Sequence, residues 1–309
     1  MDPSKEVGDS VVNSHNPDEH LVEESHRASP AAGSEGAPGE ALAPAAVARS
    51  IAERMGPRKA SLSFLPTAVL GLFGGAYIAF GAELATLVMQ DASAFVGVGI
   101  ARLFAGVAFS LGLLLVIVAG AELFTGNNLL LISVLDRRIS VRGLFRNWSI
   151  VYAANFAGSL LVAGLVYATA LWKTSDGALG AVSVQIANSK VDLSFIEAFT
   201  RGILCNWLVC LAVWIATAAR SIPGKAVAVL FPVAAFVACG FEHSIANMYF
   251  IPMGLMLRGA TVTQSSVHLT WGGLFLRNLL PVTIGNVLGG GLFVGSLYWI
   301  AYMRRRSSS

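Results

Sequence analysis

One apolar run contains the stretch Val237-Ala-Cys-Gly-Phe-Glu-His-Ser-Ile-Ala-Asn-Met248, with Gly240, Glu242, His243, Ser244 and Asn247 in its middle. A carboxylate and an imidazole are costly to bury at membrane depth. Where they occur they mark a path for an ion, a proton or a polar solute. An earlier stretch, Gly120-Ala-Glu-Leu-Phe-Thr-Gly-Asn127, repeats the spacing Gly-x-Glu-x-x-x-x-Asn. Two such interruptions at matching places point to broken helices facing a binding site or pore.

The individual residues admit more than one role. His243 is the only histidine inside an apolar segment, since His268 precedes the last one. It is either a pore group or a ring bonded to backbone where the helix breaks, and its irregular, repeated surroundings favour the pore. Glu122 and Glu242 either shuttle protons or accept hydrogen bonds from backbone amides that the breaks leave unpaired; the second role is expected. Asn127 and Asn247 would brace the same breaks. Asn206, at membrane depth, either bonds a pore histidine or pins two helices together. Lys190 precedes the fourth segment. It is either a solvated surface lysine or a vestibule cation that gathers anions. Glu83 and Arg102 would pair with each other or reach the interface, with no transport role. Cys205, Cys210 and Cys239 all fall in apolar segments, without disulfide or metal spacing, and read as packing residues. No nucleophile sits beside a base and no metal ligands cluster, so neither an enzyme nor a cofactor is expected.

The surrounding elements follow from composition. The 309 residues are 55% hydrophobic and 13% charged, with a mean hydropathy of +0.67. That places the chain among polytopic all-α membrane proteins. A net charge of +3 is too small to suggest a nucleic-acid partner. Residues 1–40 are polar and rich in Ser, Glu, Pro and Gly, and are expected to form a disordered tail. Its His15, His20 and His26 read as solvated. No secretory signal is expected, since no apolar stretch follows the first residues. Residues 41–60 hold an amphipathic helix and linker, with Leu42, Val47, Ile51 and Met55 at helical spacing. This helix is either an interfacial anchor or a gate over a pore mouth. The channel domain, 61–309, is predicted to cross the bilayer six times, near 66–90, 101–135, 147–171, 195–218, 226–256 and 274–302, leaving 172–194 as an outer loop. The second and fifth crossings are read as broken. Lys and Arg concentrate on one side, at Arg49–Lys59, Arg137–Arg146, Arg220–Lys225 and Arg304–Arg306. That side is cytoplasmic by the positive-inside rule and holds both termini. With no transit peptide in view, a bacterial inner membrane is expected.

The halves match a second time. Arg146-Asn147, Asn155 and Gly158 recur as Arg277-Asn278, Asn286 and Gly289. A three-span unit is therefore duplicated, and an odd span number makes the repeat inverted.

The stretches Val118-Ala-Gly-Ala-Glu-Leu-Phe-Thr-Gly126, Gly202-Ile-Leu-Cys-Asn-Trp-Leu-Val-Cys-Leu-Ala212 and Gly240-Phe-Glu-His-Ser-Ile-Ala-Asn-Met248, followed by Ile251-Pro252, resemble the formate/nitrite transporter family. The resemblance covers about residues 45–303. It implies an aquaporin-like fold and a homopentamer with one pore per protomer. It carries the central histidine to His243, the vestibule lysine to Lys190, the loop threonine to Thr125 and its asparagine partner to Asn206. It also implies two apolar constrictions, one of Leu113, Phe236 and Val209 and one of Phe109, Leu123 and Phe124. The function expected is a channel-like transporter of small monovalent anions such as formate or nitrite, linked to protonation. A pore for a neutral solute is the alternative. Aquaporins themselves fit poorly, because neither break contains Asn-Pro-Ala.

Overall fold

A computed structural model describes residues 40–304, which belong to one structural unit. The expected tail over 1–40 and its histidines lie, Glu40 apart, outside the described residues. α1 (44–61) joins Pro44–Ser50, a π-helical turn Ile51–Met55 and Gly56–Ser61. Then follow α2 (Phe64–Met89), α3 (Val98–Gly120), α4 (Gly126–Leu135), α5 (Val141–Ala168), α6 (Thr174–Val191), α7 (Phe195–Ala218), α8 (Ile222–Ala238), α9 (Ser244–Met256) and α10 (Gly273–Tyr302). No strand occurs among the described residues.

Five of these helices, α2, α3, α5, α7 and α10, are long and apolar enough to cross a membrane. Even α3, at 23 residues, rises roughly 35 Å. Serines start several helices by satisfying amides that have no partner within the helix. Ser140 Oγ accepts from Gly143 N–H at 3.0 Å, and Ser221 Oγ accepts from Gly224 N–H at 3.2 Å. Ser194 and Glu197 form a capping box on α7.

The two halves pack alike. α2 lies against α3 and α5, and α7 lies against α8 and α10. Small residues allow the close approach. A Cβ added at Gly158 of α5 would run into the carbonyl oxygen of Leu72 in α2. One added at Gly289 of α10 would run into that of Ile203 in α7. The outward flanks stay apolar, as at Phe64, Leu65, Phe73 and Phe80 of α2.

Two expectations change. α1 is helical as read, but its apolar face is covered by protein. Val47, Ala48, Ile51 and Ala52 are buried against Leu129, Ile132, Cys210, Trp214 and Val294. The segment 172–194 is not a loop but contains α6, which packs on α9. Leu179, Val184, Ala187 and Val191 recur at helical spacing and are buried there.

Candidate functional site

Both predicted breaks are present, over 121–125 between α3 and α4 and over 239–243 between α8 and α9. Gly120 (φ +90°) and Gly240 (φ +71°) let the chain leave the helix in the left-handed region. The released backbone is then sewn to the neighbouring helices. Asn155 Oδ1 accepts from Phe124 N–H at 3.0 Å, while its Nδ2 donates to the carbonyls of Glu122 (2.9 Å) and Gly71 (2.6 Å). Asn286 repeats all three bonds: Oδ1 accepts from Ser244 N–H at 2.9 Å, and Nδ2 donates to the carbonyls of Glu242 (3.0 Å) and Gly202 (2.8 Å). Glu122 N–H donates to Leu70 C=O, and Glu242 N–H to Arg201 C=O. Irregular backbone is tolerated at this depth because these partners replace water.

The glutamate side chains do something else. They were expected to hold freed backbone amides, but the asparagines hold those. Glu122 Oε1 accepts from Lys59 Nζ at 2.8 Å and Oε2 from Asn127 Nδ2 at 2.6 Å. Glu242 Oε1 accepts from Lys190 Nζ at 2.9 Å and Oε2 from Asn247 Nδ2 at 2.7 Å. Asn127 donates onward to Asn147 Oδ1 and Asn247 to Asn278 Oδ1. Asn147 and Asn278 return to the backbone carbonyls of Lys59 and Lys190. Each lysine is thus a partly buried member of a closed polar network, its charge matched by one carboxylate.

His243 is the N-cap of α9: its Nδ1 accepts from Ala246 N–H at 3.1 Å. A nitrogen that accepts carries no hydrogen, so the proton of the neutral ring sits on Nε2. Nε2 lies 2.9 Å from Thr125 Oγ1, which accepts from it. A doubly protonated ring would have to place a hydrogen on Nδ1, where the Ala246 N–H already points. Asn206 does not reach His243. Its Nδ2 lies within 3.2 Å of Thr125 C=O, Asn128 Oδ1 and Asn286 C=O, so it pins the first break, α4 and α10 to α7.

Two cavities approach this centre from opposite ends. The first, of about 500 Å³, includes Arg58, Lys59, Glu122, Lys225, Leu113 and Leu123 in its wall. The second, of about 280 Å³, includes Arg102, Lys190, Arg201, Phe109, Phe236 and His243. The residues expected at the constrictions are distributed over both cavities and the space beside them. Phe109 and Phe236 meet edge to face at 5.7 Å beside the His243 ring, while Leu113 and Leu123 belong to the other cavity. Val209 is buried and lines neither cavity. Phe124 turns away to Trp148 and Tyr152, at 5.9 and 4.9 Å. The expected Glu83–Arg102 alternative also changes. Glu83 accepts from the Tyr249 hydroxyl at 2.5 Å, and Arg102 joins the second cavity.

Lys190 is positioned from beyond α6 as well. Asp192 Oδ1 bonds the Ser266 hydroxyl at 2.5 Å and the His268 ring at 2.9 Å, tying the segment before α10 to the end of α6. Partial burial pushes the Asp192 carboxyl up. The Ser266 and His268 bonds and the nearby Arg277 outweigh this and hold it below the usual range.

Lys59, Asn147, Asn155, Asn278 and Asn286 all belong to the site, yet the sequence reading gave none of them a role there. The signal for Lys59 was available. Lys59-Ala-Ser-Leu-Ser-Phe64 matches Lys190-Val-Asp-Leu-Ser-Phe195 at four of six positions, extending the duplication to the lysines.

The formate/nitrite transporter family matches residues 46–300. A probable formate transporter of Methanothermobacter thermautotrophicus is 43% identical over 251 residues, which are 76% of this chain and 88% of the relative. The formate channel FocA of Escherichia coli K12 is 40% identical over 277 residues, 86% of this chain and 96% of the relative. Among solved structures, a pentameric formate channel with formate bound superposes with a TM-score of 0.70 at 36% identity, covering 77% of this chain and 97% of the other. With its two sewn breaks, its paired lysines and these relatives, the chain is a membrane protein of the formate/nitrite transporter family.

Proposed function

We propose that the protein is a channel-like transporter of small monovalent weak-acid anions, formate or nitrite among them, in which each anion crosses together with a proton. The observation that carries this reading is the contact between His243 Nε2 and Thr125 Oγ1, set between two cavities that each hold cations. The relatives named above support the substrate class.

In the proposed arrangement α3–α4 and α8–α9 are broken membrane passes. With α2, α5, α7 and α10 they make six passes in an aquaporin-like inverted repeat, which the matched hydrogen bonds of the two breaks support. Both termini lie in the cytoplasm of a bacterial cell, and the protein sits in the inner membrane. The first cavity then opens inward and the second outward. The protein is a homopentamer with one pore per protomer, as the pentameric neighbour supports.

A bare anion between Phe109, Phe236, Leu113 and Leu123 would lose its water at a cost of several kcal/mol. The lysines offer it no net charge, because Glu242 and Glu122 cancel them. The anion therefore takes a proton from hydronium in the cavity water and crosses as the neutral acid. On the far side it returns the proton to water, so one proton moves with each anion. Thr125 Oγ1 accepts from His243, which leaves its own hydrogen free to donate to the passing acid. His243 acts by holding Thr125 in place.

The test is formate uptake into proteoliposomes at mildly acidic and at neutral pH. Wild type should carry more formate at acidic pH and acidify the lumen in step. His243→Ala should lower formate uptake steeply, because Thr125 loses the partner that orients its hydroxyl. A His243→Ala protein with wild-type proton-coupled uptake would remove the role given to the histidine. Wild-type flux of water or ammonia without formate would remove the anion reading.

A further inference from the structure

We propose that Arg102 and Arg201, not Lys190, capture the anion at the outer mouth. The inference rests on the transport reading above and assigns the attraction to residues without a role in it. Lys190 Nζ lies 2.9 Å from Glu242 Oε1, and the two side chains are only 12% and 6% exposed. From the mouth, such a pair is a dipole with no net charge, and its field falls off quickly. Arg102 comes from α3 and is exposed; Arg201 comes from α7 and is half-buried; both line the cavity that holds Lys190. Neither guanidinium has a carboxylate within ion-pair distance among the described residues. Glu197, one turn before Arg201, feels its charge, but the Glu197 carboxylate is held by Ser194 through the backbone N–H at 2.9 Å and the hydroxyl at 2.7 Å. The backbone carbonyl of Arg201 accepts from Glu242 N–H at 3.3 Å, which fixes the base of this side chain against the break itself.

A guanidinium keeps its charge at every working pH, and its planar fork matches two oxygens of a carboxylate or nitrite. Two guanidiniums outside ion-pair distance of any described carboxylate, in a cavity with apolar walls, focus the field. Such focusing raises local anion concentration and on-rate by roughly 10–10³-fold, and salt weakens it. The inner cavity repeats the principle with different residues. Lys59 is spent on Glu122, while Arg58 and Lys225 line the wall without a carboxylate partner among the described residues. At each mouth the lysine organises the break, and two other cations carry the net charge.

The experiment is formate uptake by intact cells that lack their own formate transport and express the full chain, so that the outer mouth faces the medium. Initial rates are measured against formate concentration at low and high ionic strength. Wild type is compared with Arg102→Gln/Arg201→Gln and with Arg102→Lys/Arg201→Lys, at matched amounts of assembled protein. The glutamine pair should raise the apparent KM roughly tenfold with little change in maximal rate, and should flatten the salt dependence. The lysine pair should recover most of the affinity. In inside-out vesicles, where substrate enters by the other mouth, the glutamine pair should leave KM near wild type. If the double variant does not assemble, the single glutamine variants read the same effect at about threefold each. An unchanged KM and salt slope, or an equal KM rise from both faces, would overturn the proposal. A wild type that carries no formate would overturn the transport reading instead, and this proposal with it.

Discussion

Replacing Glu242 with Gln tests whether each lysine is coupled to its break. Lys190 Nζ and Glu242 Oε1 are 2.9 Å apart, with side chains 12% and 6% exposed. At an effective dielectric of about 20, unit charges at that distance attract by roughly 6 kcal/mol. Desolvation of both groups offsets much of this, so the pair need not stabilise the fold relative to a neutral isostere. Removing one partner is different, because it leaves Lys190 charged and enclosed, a loss of about 3–5 kcal/mol. Glu242→Gln should therefore destabilise strongly, and so should Lys190→Met. The double variant should be much less destabilised than the sum of the two, with a coupling of about 2–4 kcal/mol. Reversible unfolding of the purified protein in mixed micelles reads this cycle. The same cycle at Lys59 and Glu122, 2.8 Å apart and 16% and 5% exposed, should give a similar coupling. Additive effects, with coupling below about 0.5 kcal/mol at both breaks, would refute the claim that the lysines are neutralised in place.

The remaining predictions concern the rest of the framework. Asn286→Ala removes three hydrogen bonds from a fully buried side chain and strands Ser244 N–H. It should cost about 2–4 kcal/mol and abolish flux, and Asn155→Ala should match it in the same unfolding and uptake assays. Tyr249→Phe takes away the hydroxyl that Glu83 accepts from. It should lower stability by about 1–3 kcal/mol while leaving the KM for formate unchanged, which separates that pair from the cavity. The tie between α6 and the segment before α10 should depend on pH with a defined sign. Asp192 is held below its usual range, so its contribution is complete above about pH 4 and is lost as pH falls through the lowered value. Hydrogen exchange over residues 262–270 should accelerate in that acid window in wild type, and already be fast at neutral pH in Asp192→Asn. Equal exchange in the two proteins at neutral pH would show that the carboxylate does not hold this segment.

Much of this arrangement is written in local pattern. Apolar runs of membrane length, the doubled Gly-x-Glu-x-x-x-x-Asn and the paired Asn155 and Asn286 are short-range features. They set where helices form, where they break and that the chain is duplicated. His243 stands out because an imidazole inside an apolar run is rare. The stripe of α6 was equally local, but its polar flanks, Ser175-Asp176-Gly177 and Asn188-Ser189-Lys190, made it look like a loop.

Partnerships were beyond the reach of local pattern, because they join residues far apart in the chain. Glu122 is 63 residues from Lys59, and Glu242 is 52 from Lys190. From sequence, a carboxylate next to broken backbone reads equally as a cap for free amides or as half of an ion pair. Only the tertiary structure shows that Asn155 and Asn286, arriving from α5 and α10, have already taken those amides. The same holds for Phe124, whose side of the break depends on which way the chain turns after Gly120. It holds too for Arg102 and Arg201, which have no neighbouring motif to mark them. Composition and periodicity determined a duplicated membrane framework with His243 at a break. Packing decided which charges cancel and which face the cavities, because charge neutralisation depends on distance in space and not on spacing along the chain.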